Sequence, residues 1–353
     1  MHRPWLGARR VAFVPVIRPV DTTVPNDLVA QVERRVFYDP DPATGADRSL
    51  RTYIRTVSGH RADLEAVVFQ PVRSQTNDAR DAAFGAVPSP NGFDHIAAVP
   101  LSETAGGSGT ADVDGLYFRA SLGAGVGVWA MEIIHAATGF GDLYLVNPNM
   151  GQFDTMACSC GTHPCAFTKL ALQWLDAGTV RNFSGGAATF RLHATAHEQP
   201  PPPRHATAVR ILTDSPTRYF MMEVRRRADA FDRGLPSEGL ILYEIETPDI
   251  SPDPALLLPV LYLRTPIALG LDGFYASDTD EFSLWVTGAA TGGLEVRVSR
   301  PAKTRCEMLR DEMKAILVGS KFPAKPASAR QADAARLREI RRLMTELKCP
   351  RVF

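Results

Sequence analysis

From Trp129 to Thr138 the chain reads as one apolar helix broken by only two ionisable side chains, Glu132 and His135, three residues apart and so on one face. A carboxylate buried there alone would carry a large desolvation cost, so Glu132 requires a metal, a proton or a cationic partner. Whatever the fold is, it has to place one of these beside a helix that is apolar on almost every side. Thr138 and Gly139 end the run, and a glycine at that point lets the chain turn so that a residue beyond it comes back toward the same face. Asp142 is the acidic residue available there. It suits either a metal-facing role or acceptance of backbone hydrogen bonds in the turn.

A chain of 353 residues has room for a sizeable core and about two domains. Its 39 basic and 39 acidic residues cancel, so no overall field favours nucleic acid or an anionic membrane, and a nucleic-acid partner is not expected. No apolar window is long enough to span a bilayer. The run Val11–Ile17 follows Arg9 and Arg10, but it is short and stops at Arg18-Pro19, so it reads as a first strand rather than a signal peptide. A cytoplasmic chain, or an exported one already trimmed, is compatible with that reading.

Strand-like runs (Val11 to Ile17, Ala66 to Phe69, Ile96 to Pro100) alternate with helical patterns (Asn26 to Phe37, Asp47 to Val57), as in an α/β layer. The segment from Ser102 to Asp114 reads as a surface loop, and Gly115 to Arg119 as an edge strand. Further strands are expected at Ala188 to His193, Ala208 to Leu212, Tyr219 to Val224 and Gly239 to Ile245, with the stiff run Pro200 to Pro203 between them. Alternation at Phe282 to Val286 and Leu294 to Val298 predicts a small β-sandwich module, and Thr304 to Val318 and Ala327 to Leu347 predict two amphipathic helices. The run Arg225-Arg226-Arg227 reads as a solvated strand end.

In an H-E-x-x-H helix two histidines one turn apart hold zinc, and the glutamate takes a proton from the bound water. Here Met131-Glu132-Ile133-Ile134-His135 keeps the glutamate and the second histidine. Four other segments resemble, in order, the immune-inhibitor-A-like (M6) family of secreted bacterial metallopeptidases. Asp47 to Ser58 with Ala62-Asp63-Leu64 is similar to the opening of its catalytic domain, and Gly92-Phe93-Asp94-His95-Ile96 to its strand carrying "y-D-h". Phe153-Asp154-Thr155-Met156, followed by Ala166 to Lys169 and Leu172 to Leu175, resembles its methionine turn and the helix after it. Arg218 to Arg225 with Leu235 to Tyr243 resembles its "e-Y-f-l-i-E-n-R" strand and the strand that follows.

The resemblance implies a zincin-like metallopeptidase domain over 1–247, with its active-site helix at about 124–138. The small β-rich module would then occupy 248–300 and a C-terminal helical extension 301–353. It implies Glu132 as catalytic base, His135 and Asp142 as zinc ligands, Met156 under the metal, Asp94 and His95 supporting the cleft, and an edge strand that docks polypeptide. Two departures stand against catalysis. Met131 replaces the first histidine, and a thioether is a soft, neutral donor ill suited to Zn²⁺. Gly139 and Asp142 also lie one residue further from the second histidine than the family spacing. The expectation is therefore a degenerate zinc site that binds a polypeptide or partner. The alternative is an active zinc endopeptidase completed by another donor such as His95 or His163.

Of the five cysteines, Cys158, Cys160 and Cys165 have a spacing that matches no common zinc set and are expected to be reduced. Cys306 and Cys349 can pair only if the terminal helices fold back.

Overall fold

The computed structural model describes residues 3–102, 109–112, 115–196, 200–247, 259–277, 279, 281–319 and 326–350. The first layer grows from the apolar run at Val11. Strand β1 (Gly7–Ile17) is buried throughout from Val11 onward, as a strand covered on both faces must be. It lies parallel to β2 (Ala62–Val68), to the short β3 (Val72–Arg73) and to β4 (His95–Pro100). The sheet order β2-β1-β4-β6-β5 is completed by β6 (Tyr117–Ala120), parallel to β4, and by β5 (Gly109–Ala111), antiparallel to β6.

Two helices cover one face because their apolar residues recur at helical spacing. In α1 (Leu28–Phe37) these are Leu28, Val32 and Val36. In α2 (Leu50–Val57) they are Leu50, Tyr53, Ile54 and Val57, behind a Ser49 cap that accepts from the Thr52 N–H. Each such side chain contributes roughly 1.5–3 kcal/mol by leaving water. The other face is closed by α3 (Arg80–Ala86), with Ala83 in the same core as Val14 and Ala98.

The long central helix α4 (Val126–Thr138) is buried on nearly all sides. Gly127 sits where its backbone meets the 159–161 loop: an added Cβ would lie 2.1 Å from the Ser159 carbonyl oxygen. Gly139 stops the helix in the left-handed region at φ 68°, its N–H donating to the His135 carbonyl. After it come the short helices α5 (Thr155–Cys158) and α6 (Ala166–Ala171).

Two further sheets stack beyond this layer. The nearer has the order β12-β11-β10-β9-β7, from β7 (Val180–Phe183), β9 (Ala208–Leu212), β10 (Arg218–Arg225), β11 (Gly239–Glu246) and β12 (Val260–Leu263). The farther is β13-β14-β15-β8, from β8 (Gly186–His193), β13 (Phe274–Ser277), β14 (Phe282–Ala290) and β15 (Gly293–Arg300). Alternation along β10 gives the nearer sheet two apolar faces. Phe220, Met222 and Val224 pack with Phe282, Leu284 and Val296, whereas Met221 belongs to the core around Trp129. Helices α7 (Arg305–Gly319) and α8 (Ala327–Glu346) cover Trp285 on the outer side through Met308, Leu309, Ile340 and Leu343.

The molecule is thus mixed α/β with a C-terminal helix pair, and three expectations change. The boundary at 247 does not separate sheets, because β8 completes the sheet of β13–β15 and β12 extends that of β9–β11; alternation shows which face a strand buries but not its partner. The segment expected as an edge strand is β6, flanked on both sides, and the edge is β5, within the stretch read as loop. Cys158 and Cys160 are paired, leaving Cys165 as the free, buried thiol. The terminal helices do fold back, and Cys306 bonds Cys349 across 43 residues. Among the described residues no helix is long and apolar enough to cross a membrane.

Candidate functional site

The site forms where α4 passes beneath β5. Glu132 is 8% exposed. The backbone of Gly109 lies on its carboxylate so closely that an added Cβ would be 2.4 Å from Oε1. No described residue donates a hydrogen bond to that carboxylate. Burial is the main cause that pushes Glu132 up to about 7, the Asp142 charge adding to it and the His135 and Arg119 charges opposing it.

His135 is fixed at both ring nitrogens. Nδ1 donates to the Phe140 carbonyl, which the left-handed Gly139 swings back over the helix end. Nε2 faces Asp142 Oδ1 at 3.0 Å. With Nδ1–H committed to a carbonyl, Nε2 is the atom turned toward Asp142, and a carbonyl on the other ring nitrogen is also how metal-ligating histidines are oriented. Oδ1 of Asp142 is enclosed and has no other donor, so a proton on Nε2 satisfies it. Oδ2 accepts from the Tyr144 hydroxyl at 2.8 Å. Burial opposes an imidazolium here, but the Asp142 hydrogen bond and charge, with the Phe140 carbonyl, raise the His135 pKa. Asp142 is lowered: burial works against its charge, and His135 and Tyr144 outweigh it. The extra residue before Asp142 therefore does not carry it away from the histidine.

Met131 is buried, and its Sδ accepts a hydrogen bond from Ser159 Oγ at 2.7 Å. Met156 is wholly buried in the same core, and its carbonyl accepts from the Leu143 N–H at 2.9 Å, pinning the segment that carries Asp142. Asp94 and His95 lie at the start of β4. Asp94 accepts from the Arg10 N–H at 2.8 Å and pairs with Arg9 at 3.6 Å. His95 Nδ1 bonds the Gly115 carbonyl, and burial lowers its pKa. Its hydrogen bond runs to Gly115 rather than to Glu132, His135 or Asp142.

His163, the other donor considered for completing a metal set, is committed elsewhere. Its Nε2 meets Asp229 Oδ2 at 2.6 Å, and its Nδ1 accepts from Lys169 Nζ at 3.0 Å. It belongs to a buried polar network that the sequence reading missed. Arg225, expected at a solvated strand end, is wholly buried. Its guanidinium donates to Asp232 at 2.8 and 3.1 Å, to the His163 carbonyl at 3.0 Å and to the Phe153 carbonyl. Asp154 accepts from the Met156 and Cys165 N–H groups, both at 2.8 Å, and from Thr168 Oγ1 at 2.7 Å. Glu223 accepts from the Ala166 N–H at 2.8 Å. Burial lowers the Lys169 pKa and raises that of Glu223. The network clamps the 153–156 turn and α6 onto β10. The signal in the sequence was Glu223-Val224-Arg225, two charges two residues apart on a strand otherwise facing cores.

A catalytic zinc needs three protein donors, and two are presented here, His135 Nε2 and Asp142. Among the described residues no three His, Cys, Asp or Glu side chains converge as a metal-holding set. These two donors do not fit the zinc site that the resemblance implies. No family model matches the chain, and no curated protein matches it significantly.

Proposed function

We propose that this chain is an M6-like, zincin-type metallopeptidase homologue whose zinc site has degenerated, and that it binds a polypeptide or protein partner without hydrolysing it. The observation that carries the reading is the state of Met131. It stands where the resemblance expects the first ligand, and its thioether accepts a hydrogen bond from the Ser159 hydroxyl. Glu132, the would-be base, is supported as a neutral group by its burial against Gly109. The short β5, antiparallel at the end of the sheet and directly over Glu132, offers an edge with no strand partner among the described residues, to which an extended polypeptide adds as one more strand.

The test is zinc stoichiometry by elemental analysis after dialysis against micromolar zinc. Well under one zinc per chain is expected, rising toward one in Met131→His. One tightly held zinc in the unmodified chain would overturn the reading.

The second reading is an active zinc endopeptidase with a non-standard ligand set, with Glu132 as base. The approach of His135 Nε2 to Asp142 Oδ1 at 3.0 Å favours it, because two ligands remain mutually placed. Casein hydrolysis abolished by a chelator and by Glu132→Gln would establish that reading.

A further inference from the structure

Three exposed arginines from separate segments line one surface crevice of about 400 Å³: Arg181 on β7, Arg191 on β8 and Arg204 just after the proline run. Thr189, Phe190 and Glu295 complete its wall. Three guanidiniums face one carboxylate, which leaves two positive charges unbalanced. The carboxylate is already engaged: Glu295 meets Arg191 Nε at 3.3 Å and accepts from Thr287 Oγ1 at 3.2 Å. Among the described residues no carboxylate pairs with Arg181, whose Nη1 donates to the Gly178 carbonyl at 2.6 Å. None pairs with Arg204 either.

The backbone holds this arrangement at some cost. Arg204 adopts the left-handed region at φ 69°, uncommon for a side chain of its size. The segment after it is fixed to β8, where the Ala206 N–H donates to the Arg191 carbonyl at 2.9 Å and the His193 N–H to the Ala206 carbonyl at 2.7 Å. Arg204 and Arg191 are therefore tied to one another through main-chain bonds. Next to them the His205 Nδ1 is enclosed without a partner. Burial and then the His193 and Arg191 charges lower the His205 pKa, in keeping with a positive local field.

We propose that this crevice binds a tetrahedral oxyanion, the dianionic phosphate group of a phosphate monoester or the monoanionic sulfate group of a sulfate ester. Guanidiniums meet the oxygens of a tetrahedral oxyanion in paired hydrogen bonds, and three of them line this one wall. The Thr189 hydroxyl is a further donor, and Phe190 offers an apolar wall to the body of the ester. Nothing in this site depends on Glu132 or the residues around it.

Isothermal titration calorimetry of the full chain with inorganic phosphate and, separately, inorganic sulfate tests it, chloride being used to match ionic strength. Saturable binding of at least one anion at one site per chain is expected, and phenyl phosphate against phenyl sulfate, titrated in the same way, identifies the ester class. Arg204→Gln and Arg181→Gln should each weaken it about tenfold or more. Arg330→Gln, an exposed arginine on α8, should leave it unchanged. Absence of saturable binding for both anions, or equal loss in Arg330→Gln, or no loss in Arg204→Gln, overturns the proposal.

Discussion

Replacing Glu132 by glutamine should stabilise the metal-free protein at alkaline pH and leave it nearly unchanged in acid. Burial against Gly109 pushes the Glu132 carboxyl from 4.5 up to about 7. The folded state therefore holds a proton that the unfolded chain releases near its ordinary value. The stability tied to that proton is fully present below about 4.5, and it is lost as the pH rises through about 7. At 1.36 kcal/mol per pKa unit the displacement is worth about 3 kcal/mol. Glutamine, neutral at every pH, escapes the loss. Unfolding entropy of ~2.1 cal/mol/K per residue over 353 residues converts 3 kcal/mol to roughly 4 °C in Tm for a single cooperative transition. The assay is thermal unfolding of both proteins in chelator at pH 4.5 and pH 8. Equal stability at pH 4.5 and a gain of about 4 °C for Glu132→Gln at pH 8 are expected. A variant less stable at pH 8 would show that the ionised carboxylate has a cationic partner, and the reasoning from burial would fail.

Arg225→Met should cost about 3–5 kcal/mol in urea unfolding, because it leaves Asp232 and Glu223 buried without their cation; a cost under about 1 kcal/mol would refute the clamp. Asp142→Asn should bring the His135 pKa down from its raised position, read from imidazole NMR shifts, since it removes the hydrogen bond and charge that oppose burial. The stability associated with His135 is present below its unfolded value near ~6.5 and disappears as the pH rises through the raised one. In Asp142→Asn that window should close.

Most elements were legible because their side chains repeat with the period of the backbone they form. The apolar spacing of Leu28, Val32 and Val36 sets α1, the alternation in Tyr219 to Val224 sets most of β10, and Gly139 ends α4. Partners were not legible, since period says nothing about which strand lies alongside. That is why β8 was read apart from β15, though residues 186 to 193 pair with 300 to 293 along their whole length. Arg225 was misjudged for a related reason. Three consecutive arginines look solvated until Asp232, brought back by the turn seven residues on, meets the first of them from inside. At the site, the sequence showed Glu132 and His135 one helical turn apart, with Met131 where the resemblance expects a ligand. It did not show that Phe140 would take His135 Nδ1 and so aim Nε2 at Asp142, because that depends on the conformation of the chain just past Gly139.

The two-faced sheet leaves the molecule without a seam at which it can be divided. Sliding β10 by a single residue would turn Glu223 and Arg225 toward the aromatic core of the outer sandwich and strand Phe220 and Met222 among carboxylates. Insertions of one residue in β10 should therefore be far less tolerated than insertions in the loops on either side. A protease that nicks those loops should release no stable half, because each half would carry away one wall of the other's interior.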